Sequence, residues 1–430
     1  MSRQQHQQNL ERLDSLNMFG IKLGLEQTAE LFRRCGAPLE QHYLHIAGTN
    51  GKGSCGAMLD AALRGAGYRT GFYSSPHLVD VCERFRINGA PVAETEFDAA
   101  FAEVDRAARE MHEVGRPVTY FEFTTALAAL IFARAGVDFV IWETGMGGRC
   151  DATSVVVPEV TLITNIALDH QAYLGDSIAA IAGEKAGIIR PGVPVFTGFL
   201  VPEAQAVIAS HAGNSGADWH DPDPEEPTEV IYDRDAAGLF QQFRHRGRTI
   251  RLRLTGAMQR ENFRTVYPVL VWLADQYGFP LDAALDGLAD AVWPARCQEV
   301  TPRLIVDGGH NPHGAAALQA ALAEAYPGEK FTIVFGGFRD KDVRPGLRLL
   351  APLARSFVLT GVGGDRPVWS GDELAAMLTE AAPGMPYIDE PDPAAALAAA
   401  LEQPGRVLVA GSLYLAGEIL RLTAPAGQMD

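Results

Sequence analysis

A glycine-rich segment near the start of the chain has the residue types that bind the phosphates of a nucleotide. It follows the apolar run HYLHIAG (42–48), precedes a helical pattern, and consists of Gly48, Thr49, Asn50, Gly51, Lys52, Gly53 and Ser54. Such a turn presents backbone N–H groups and a helix dipole to an anion, and Lys52 adds a full positive charge. The usual phosphate loop has its hydroxyl residue directly after the lysine, whereas here Gly53 intervenes. The segment predicts phosphate binding, with Thr49 or Ser54 able to face a metal ion.

A second cluster, WETGMGGRCDATS (142–154), begins where a very apolar run ends. Glu143 lies at this end, where α/β folds place the groups that bind ligands. A carboxylate there is costly to bury unless it is paired or binds a metal. The three glycines that follow allow the backbone to turn sharply and approach a ligand. The cluster predicts a metal ligand at Glu143, although a tight loop with a solvated glutamate also fits the pattern.

A third cluster follows the apolar run VTLITNI (160–166). Asp169 and His170 come directly after it, and Lys185 lies in the small, apolar stretch IAAIAGEKAGII. Taken singly, such a lysine is usually a surface residue whose amine reaches solvent, and such a histidine is usually structural. In company with Glu143 and the glycine-rich segment, both residues are better explained as parts of a magnesium and phosphate site.

A fourth cluster, VDGGHNPHGAAAL (306–318), lies far along the chain. Asp307 ends a predicted strand, and the sequence His310-Asn311-Pro312-His313 opens a predicted helix. Helix capping by Asn311 explains only part of this pattern. The cluster predicts polar side chains that reach across a cleft towards the first part of the chain.

The elements that must position these clusters predict an α/β fold with mostly parallel sheets, because apolar, β-branched runs alternate with helical patterns. In the first half, the predicted strands are HYLHIAG, TGFYSS (70–75), VDFVIWE (137–143), VTLITNI and VPVFTG (193–198). The acidic, proline-rich stretch 216–227 predicts an exposed loop. Two antiparallel strands are expected after it, at 229–233 and 248–256.

The strand–helix pattern restarts after a predicted linker at 294–301. Four further buried strands are expected, in RLIVDGGHN (303–311), FTIVFGG (331–337), RSFVLTGV (355–362) and RVLVAGS (406–412). The length of 430 residues also favours more than one domain. We predict two domains, 1–296 and 297–430.

Composition excludes several classes of function. The formal net charge is −17, which disfavours binding to nucleic acid or to an anionic membrane surface. Nowhere does an apolar run reach the length of a membrane span, and the N-terminus has no signal-peptide core. The five scattered cysteines predict reduced thiols in a cytoplasmic protein. The residues alone therefore predict a cytoplasmic enzyme that uses ATP and magnesium at a site between two α/β domains.

Nine motifs, in order, extend the interpretation: AGTNGKGS, YSSPHL, ERFRING, FEFTTALA, ETGMGGRCDATS, ALDHQAYLG, GEKAGIIRPG, DGGHNPHGA and the DKD at 340–342. With them the chain resembles the folylpolyglutamate synthase and dihydrofolate synthase family, of the bacterial bifunctional type, within the Mur ligase superfamily. The resemblance implies a phosphate-loop ATPase domain (1–296) that carries a pterin pocket. A smaller, Rossmann-like glutamate-ligase domain (297–430) would follow, with the active site in the cleft between the two.

The resemblance also implies an activity. Such an enzyme joins L-glutamate to dihydropteroate and to reduced folates, with ATP as cosubstrate and two Mg²⁺ ions, and acts as a monomer. A substrate carboxylate attacks the γ-phosphorus of ATP, and the amine of glutamate then attacks the acyl phosphate. Since a carboxylate and a polyphosphate repel each other, the site needs concentrated positive charge.

The roles of individual residues follow from the same resemblance. The implied catalytic residues are Lys52, His170, Lys185, Asp307 and His310. The implied metal ligands are Ser75, Glu143, His170 and Lys185, the last as a carbamate, which requires an amine of lowered pKa. The implied ATP-binding residues are Thr49 to Ser54, Gln259, Asn262, Arg296, Asp307 and His310. The implied substrate-binding residues are Phe121 and Asp151, in the pterin pocket, and Ser75.

Some positions depart from the family pattern, and other functions fit part of the sequence. The linker has Pro294-Ala295-Arg296 in place of Pro-Gly-Arg, and Met258-Gln259-Arg260-Glu261-Asn262 replaces His-Gln-x-x-Asn. A folylpolyglutamate synthase without the dihydropteroate reaction would share nearly all the motifs. A Mur-type cell-wall ligase would typically carry a UDP-binding domain before the phosphate loop, where only 47 residues precede Gly48. A switch-type ATPase would have Lys and Ser or Thr adjacent.

Overall fold

The computed structural model describes residues 3–16, 24–364 and 366–424. The chain forms two compact units. The first comprises Met1–Pro224 and Glu261–Ala291, and the second comprises Glu225–Arg260 and Val292–Asp430. Among the described helices, none combines the length and the apolar character needed to cross a bilayer.

The first unit is built on an eight-stranded sheet in the order β4-β3-β2-β5-β1-β6-β7-β8. Its strands are β1 (Tyr43–Ala47), β2 (Thr70–Tyr73), β3 (Phe85–Ile87), β4 (Ala90–Pro91), β5 (Phe139–Glu143), β6 (Val160–Ile163), β7 (Val195–Thr197) and β8 (Trp219–His220). From β2 to β8 the neighbouring strands are parallel, and β3 and β4 add an antiparallel edge. The central strands β1, β5 and β6 are buried along their whole length, as apolar runs covered on both faces should be.

Helices complete the first unit. They are α1 (Arg3–Asp14), α2 (Glu26–Cys35), α3 (Lys52–Gly65), α4 (Glu94–Glu113), α5 (Tyr120–Ala135), α6 (Gln171–Leu174), α7 (Ile178–Ala186), α8 (Pro202–Ser215), α9 (Ala257–Tyr277) and α10 (Leu281–Gly287). Local sequence explains the ends of α5, because Thr119 and Glu122 form a capping box and Gly136 ends the helix with a φ of 62°. Trp142, Tyr43 and Phe132 are among the largest side chains of the core beside α2, α4 and α5.

The second unit contains two sheets. The smaller sheet has the order β11-β10-β9, from β9 (Thr228–Asp235), β10 (Gly238–His245) and β11 (Arg248–Leu252), all antiparallel. The larger has the order β12-β13-β17-β14-β15-β16, from β12 (Gln298–Thr301), β13 (Leu304–Val306), β14 (Phe331–Phe335), β15 (Ala354–Leu359), β16 (Tyr387–Asp389) and β17 (Arg406–Ala410). Its helices are α11 (Pro312–Ala325), α12 (Arg344–Leu350), α13 (Gly371–Ala381), α14 (Pro393–Glu402) and α15 (Leu413–Thr423).

The structure confirms the predicted α/β class and each predicted buried strand. It also contains short strands that were not expected, among them β3, β4 and β16, and it differs in three further places. Strand β10 was not expected; it lies between the two predicted antiparallel strands, which pair with it rather than with each other. The stretch 216–227 is not wholly an exposed loop, because it contains β8 and the buried Asp223. The predicted linker contains β12, which pairs with β13.

The compact units divide the chain differently from the predicted boundary at 296. The principal change of unit comes earlier, at Ala291, and the antiparallel sheet of β9 to β11 groups with the second unit. An ion pair accounts for part of this grouping, since Arg234 of β9 binds Glu299 of β12. Tyr326 donates its hydroxyl proton to the same carboxylate at 2.7 Å.

Candidate active site

The polar clusters of the first unit follow neighbouring strands of one parallel sheet. Ser75 follows β2, Glu143 ends β5, the phosphate loop (48–54) follows β1, and His170 comes after β6, in the strand order β2-β5-β1-β6. The register places Glu143 opposite Ile46 on β1. Because parallel strands end at the same edge of a sheet, this topology brings the predicted residues to one edge, where α/β proteins bind ligands.

The phosphate loop is held in shape by residues that follow β6. The N–H of Thr49 donates to the backbone carbonyl of Asn165 at 2.9 Å, and the N–H of Asn50 donates to Oδ1 of the same asparagine at 2.8 Å. The hydroxyl of Thr164 donates to the carbonyl of Asn50 at 2.6 Å. A Cβ added to Gly48 would lie 1.9 Å from Oγ1 of Thr164, so only glycine fits there.

The hydroxyl of Thr49, one of the two that the sequence offered to a metal ion, is hydrogen-bonded to the backbone after β6. It donates to the carbonyl of Ala167 at 3.1 Å and accepts the N–H of the same residue at 3.0 Å. Ser54, in the first turn of α3, is 2% exposed. Sequence reasoning missed the supporting roles of Thr164 and Asn165; the available signal was a threonine and an asparagine directly after a buried strand.

Two lysines share one acceptor beside the loop. Lys52 Nζ donates to the carbonyl oxygen of Gly48 at 3.1 Å, and Lys185 Nζ donates to the same oxygen at 2.9 Å. Lys185 is 4% exposed. Burial, and next the positive charge of Lys52, lower the pKa of Lys185 to about 7. A neutral amine is therefore accessible near neutral pH, and its reaction with CO₂ would replace the repulsion between two cations with attraction.

The donors at this edge of the sheet fit magnesium. Glu143 is 4% exposed, and its Oε1 lies 3.9 Å from Nζ of Lys52. A carboxylate, a serine hydroxyl and, once Lys185 is modified, a carbamate would supply the oxygen ligands that Mg²⁺ prefers. In the part of the chain that the structure describes, no three His, Cys, Asp or Glu side chains form a ready metal site. Metal binding here would thus depend on Ser75 and a modified Lys185 as well as on Glu143.

Ser75 and His170 are the more accessible members of the predicted metal site. Ser75 is half-buried, and its peptide bond to Pro76 is cis. His170 is exposed, has a φ of 50°, and precedes the short helix α6. The backbone N–H of His170 donates to the carboxylate of Asp169 at 2.8 Å. Both residues lie at the expected sheet edge, and their role as ligands stays a prediction.

The glycine loop after Glu143 packs under an aromatic ring. A Cβ added to Gly145 would lie 2.6 Å from Cζ of Phe121, so the ring of Phe121 rests directly on the loop backbone. Asp151 closes the loop, because its Oδ2 accepts the N–H of Met146 at 2.9 Å and its Oδ1 accepts the N–H of Thr153 at 3.0 Å. Burial raises the pKa of Asp151. Phe121 is half-buried, which leaves part of its ring available to a ligand.

Helix α9 brings a predicted ATP-binding residue to the phosphate loop. A Cβ added to Gly51 would lie 2.7 Å from Oδ1 of Asn262, and Gly51 has a φ of 86°. The thiol of Cys55 points at the carbonyl of Asn262 at 3.9 Å. Gln259, in the first turn of the same helix, is buried and donates its N–H to the carbonyl of Gly256 at 3.0 Å. This turn, up to Arg260, groups with the second unit, and the rest of α9 groups with the first.

The second unit holds the remaining predicted residues at the end of β13. Asp307 is 7% exposed; its Oδ2 accepts the N–H of Cys297 at 2.8 Å and its Oδ1 accepts the N–H of Gly309 at 2.7 Å. Burial raises the pKa of Asp307, and the charge of Arg296 opposes that effect. The Nδ1–H of His310 donates to the carbonyl of Gly308 at 3.1 Å, which directs Nε2 away from the turn.

Two residues beside this cluster, Ala295 of the linker and Asn311 at the start of α11, have defined backbone roles. Ala295 occupies the position of the expected glycine, is fully buried and has a φ of 55°, a region that favours glycine. Asn311 caps α11, because its Oδ1 accepts the N–H of Gly314 at 2.8 Å. The cap confirms the structural role considered for Asn311.

Comparison with known proteins agrees with this arrangement. Residues 295–413 match the Mur ligase, glutamate ligase domain family. A curated dihydrofolate synthase/folylpolyglutamate synthase from Bacillus subtilis is 36% identical, over 79% of this chain and 81% of its own. A solved structure of Mycobacterium tuberculosis folylpolyglutamate synthase complexed with ADP is 30% identical, covers 98% of both chains and has a TM-score of 0.86.

A third relative carries a different bound ligand. The structure of E. coli FolC in complex with DHPP and ADP is 31% identical to this chain, covers 97% of both chains and has a TM-score of 0.80. Coverage of 97% to 98% means that the similarity to these solved structures extends across both compact units. The chain therefore belongs to the dihydrofolate synthase/folylpolyglutamate synthase family.

Proposed function

We propose that the protein is an ATP-dependent ligase that joins L-glutamate to dihydropteroate and to reduced folates through an acyl phosphate. The observation that carries the proposal is the pair of lysines at the Gly48 carbonyl, set beside the buried Glu143. A protein with a net charge of −17 concentrates cations there, where a carboxylate must approach a polyphosphate. Membership of the family supplies the substrate class.

Lys52 is the residue we assign to the transferred phosphate. Its amine is held by the Gly48 carbonyl at 3.1 Å, at the N-terminus of α3, where the helix dipole also favours negative charge. In the acyl-phosphate step, an oxygen of the substrate carboxylate bonds to the γ-phosphorus as the bond to the ADP oxygen breaks. Lys52 stabilises the charge that spreads over the γ-phosphoryl oxygens. Thr49 to Ser54 form the loop around the phosphates, and the backbone N–H groups of Gly51 to Ser54 bind them.

Magnesium is the cofactor that these residues would hold. We assign Ser75 and Glu143 to one ion, and His170 with carbamylated Lys185 to a second. When bound, the ions would neutralise phosphate charge and orient the transferred group. The modification of Lys185 has its own test: protein equilibrated with ¹³C-bicarbonate should give a carbamate NMR signal that Lys185→Met lacks. A spectrum without that signal at saturating bicarbonate would remove the second ligand set.

The pterin and the nucleotide base have separate candidate contacts. We propose that the half-buried ring of Phe121 stacks on the pterin and that Asp151 accepts hydrogen bonds from its amino group. Gln259, Asn262, Arg296, Asp307 and His310 are proposed to bind ATP, with Asp307 and His310 also needed for catalysis. In the second step the amine of glutamate attacks the acyl carbon, and the amide forms as inorganic phosphate leaves. Water must be kept from the acyl phosphate until then.

We also propose that the enzyme is a cytoplasmic monomer, with small molecules as its only partners. All five cysteines are free thiols, which suits a reducing compartment. Light scattering on the purified protein measures the oligomeric state directly. A stable dimer at micromolar concentration would contradict that part of the proposal.

One assay tests the proposed activity. ADP release that requires L-glutamate is measured separately with dihydropteroate, with tetrahydrofolate and with a UDP-muramyl precursor. Turnover with the first two substrates is expected. Turnover with tetrahydrofolate alone would reduce the function to folylpolyglutamate synthesis, and turnover only with the UDP-muramyl precursor would refute the folate assignment.

A further inference from the structure

Arg84, in the ERFRING motif, is a buried cation whose charge has no acidic partner among the residues that the structure describes. It is 9% exposed, and its Nε–H donates to Nδ1 of His77 at 2.8 Å. Its Cζ lies 5.2 Å from the centre of the Tyr120 ring. A guanidinium has five N–H donors, and burying it without a carboxylate or further acceptors is costly. The guanidinium of Arg84 is therefore able to bind an anionic ligand.

The acidic side chains nearest to Arg84 in sequence accept hydrogen bonds from backbone N–H groups. Glu83 accepts the N–H groups of Leu78, Val79 and Asp80 at 2.8, 3.1 and 3.1 Å. Asp80 caps the short 3₁₀ helix Val81–Arg84, because it accepts the N–H of Cys82 at 2.7 Å. These carboxylates therefore shape the turn before Arg84 instead of neutralising it.

His77 and Tyr120 fix the direction of the guanidinium. Since Nδ1 of His77 accepts the Nε–H, this imidazole carries its proton on Nε2. With Nε engaged and one face on the Tyr120 ring, the Nη1 and Nη2 groups are left as a planar fork that matches a carboxylate.

The position of Arg84 connects two parts of the proposed substrate site. Its carbonyl accepts the N–H of Ser74 at 3.1 Å, so it lies beside the turn that carries Ser75. Tyr120 directly precedes Phe121, the residue we assign to the pterin.

We propose that Arg84 binds a carboxylate of the pterin-bearing substrate. The inference rests on the proposed function and adds a residue that positions the substrate between the pterin pocket and the Ser75 end of the site. Two carboxylates have the required chemistry. Dihydropteroate has only the carboxylate that accepts the phosphoryl group, whereas tetrahydrofolate has both the accepting γ-carboxylate and an α-carboxylate.

Steady-state kinetics of Arg84→Met tests the proposal, because methionine keeps the packing against Tyr120 and removes the charge. The KM for the pterin substrate should rise roughly 10- to 100-fold, with the KM for ATP unchanged. Arg84→Lys should recover only part of the loss, since an ammonium lacks the fork. Arg86→Met is the matched control; it removes an arginine of the same motif that donates to the Gly89 carbonyl, and should leave both KM values unchanged.

Comparison of the two substrates shows which carboxylate Arg84 binds. A higher KM with both dihydropteroate and tetrahydrofolate assigns the accepting carboxylate, and a higher KM with tetrahydrofolate alone assigns the α-carboxylate. Each substrate is then compared, by equilibrium binding, with an analogue that lacks the assigned carboxylate. The wild-type protein should bind the analogue roughly 10- to 100-fold more weakly than the substrate, and Arg84→Met should bind both alike.

Two results would overturn the inference. One is an unchanged KM for both substrates in Arg84→Met. The other is an equal ratio of substrate affinity to analogue affinity in Arg84→Met and in the wild type. Failure of the proposed function is recognised separately, because the wild-type protein would then turn over neither substrate. Thermal unfolding of each variant identifies a loss of structure, in which case Arg84→Lys provides the kinetic comparison.

Discussion

The buried amine of Lys185 makes the stability of the protein depend on pH in a defined direction. In the unfolded chain its pKa is near the ordinary 10.5, and in the folded protein burial and Lys52 lower it to about 7. Between these values the unfolded state binds more protons than the folded state, so stability must rise with pH. Below pH 7 the cost of ionised Lys185 is fully present, and it is relieved as pH rises from 7 towards 10.5.

The expected magnitude follows from the two pKa values. At pH 7.5, Lys185 lowers the free energy of unfolding by about 4 kcal/mol, and at pH 9.5 by about 1.4 kcal/mol. Replacement by methionine removes the ionisable amine and keeps an apolar chain of similar length. The wild type should therefore gain about 2.5 kcal/mol relative to Lys185→Met between pH 7.5 and 9.5.

Urea-induced unfolding in CO₂-free buffer, followed by tryptophan fluorescence at several pH values, measures this difference. Exclusion of CO₂ is essential, because a carbamate on the folded protein would remove the titrating amine. Lys330→Met, which removes an exposed lysine, controls for the loss of a lysine as such and should give a curve parallel to the wild type. If the wild-type and Lys185→Met curves also ran parallel from pH 7.5 to 9.5, the amine would not be buried as described.

Three further substitutions have defined outcomes. Lys52→Met should reduce ADP release by at least about 100-fold without lowering the melting temperature; near-wild-type release would refute its assignment to the phosphate. Gly145→Ala should raise the KM for dihydropteroate more than the KM for ATP, because the new methyl group would meet the Phe121 ring at 2.6 Å; equal changes in steady-state assays would contradict this. Asn165→Ala should weaken binding of a fluorescent ATP analogue roughly 5- to 10-fold through loss of a loop hydrogen bond, and unchanged binding would show that the loop needs no such support.

Much of the candidate site at the edge of the eight-stranded sheet is predictable from the sequence, because its polar residues follow apolar strands. Glu143 and the phosphate loop each come directly after a buried run, and parallel strands end at one edge whatever their order. The carbamate that the resemblance implies for Lys185 requires a lowered pKa, and burial beside Lys52 lowers it. These predictions succeed because they depend only on residues that are adjacent in sequence, and not on which strands are neighbours in the sheet.

Other features depend on long-range contacts that no local pattern reports. Asn165 supports the phosphate loop only because β6 lies beside β1, and the same contact turns the Thr49 hydroxyl to Ala167. Strand β10 was missed because its burial alternates only in part, and its two partners were expected without it. The sequence alone does not show that Arg84 lacks an acidic partner, because the adjacent Glu83 binds backbone N–H groups instead.

The transfer of oxygen from the substrate carboxylate to phosphate tests the acyl-phosphate mechanism most directly. Dihydropteroate labelled with ¹⁸O in its carboxylate is converted in the presence of ATP and L-glutamate, and the released phosphate is examined by mass spectrometry. If the carboxylate attacks the γ-phosphorus, the phosphate formed with each new amide bond carries an ¹⁸O atom. Amide formation with unlabelled phosphate would contradict the mechanism.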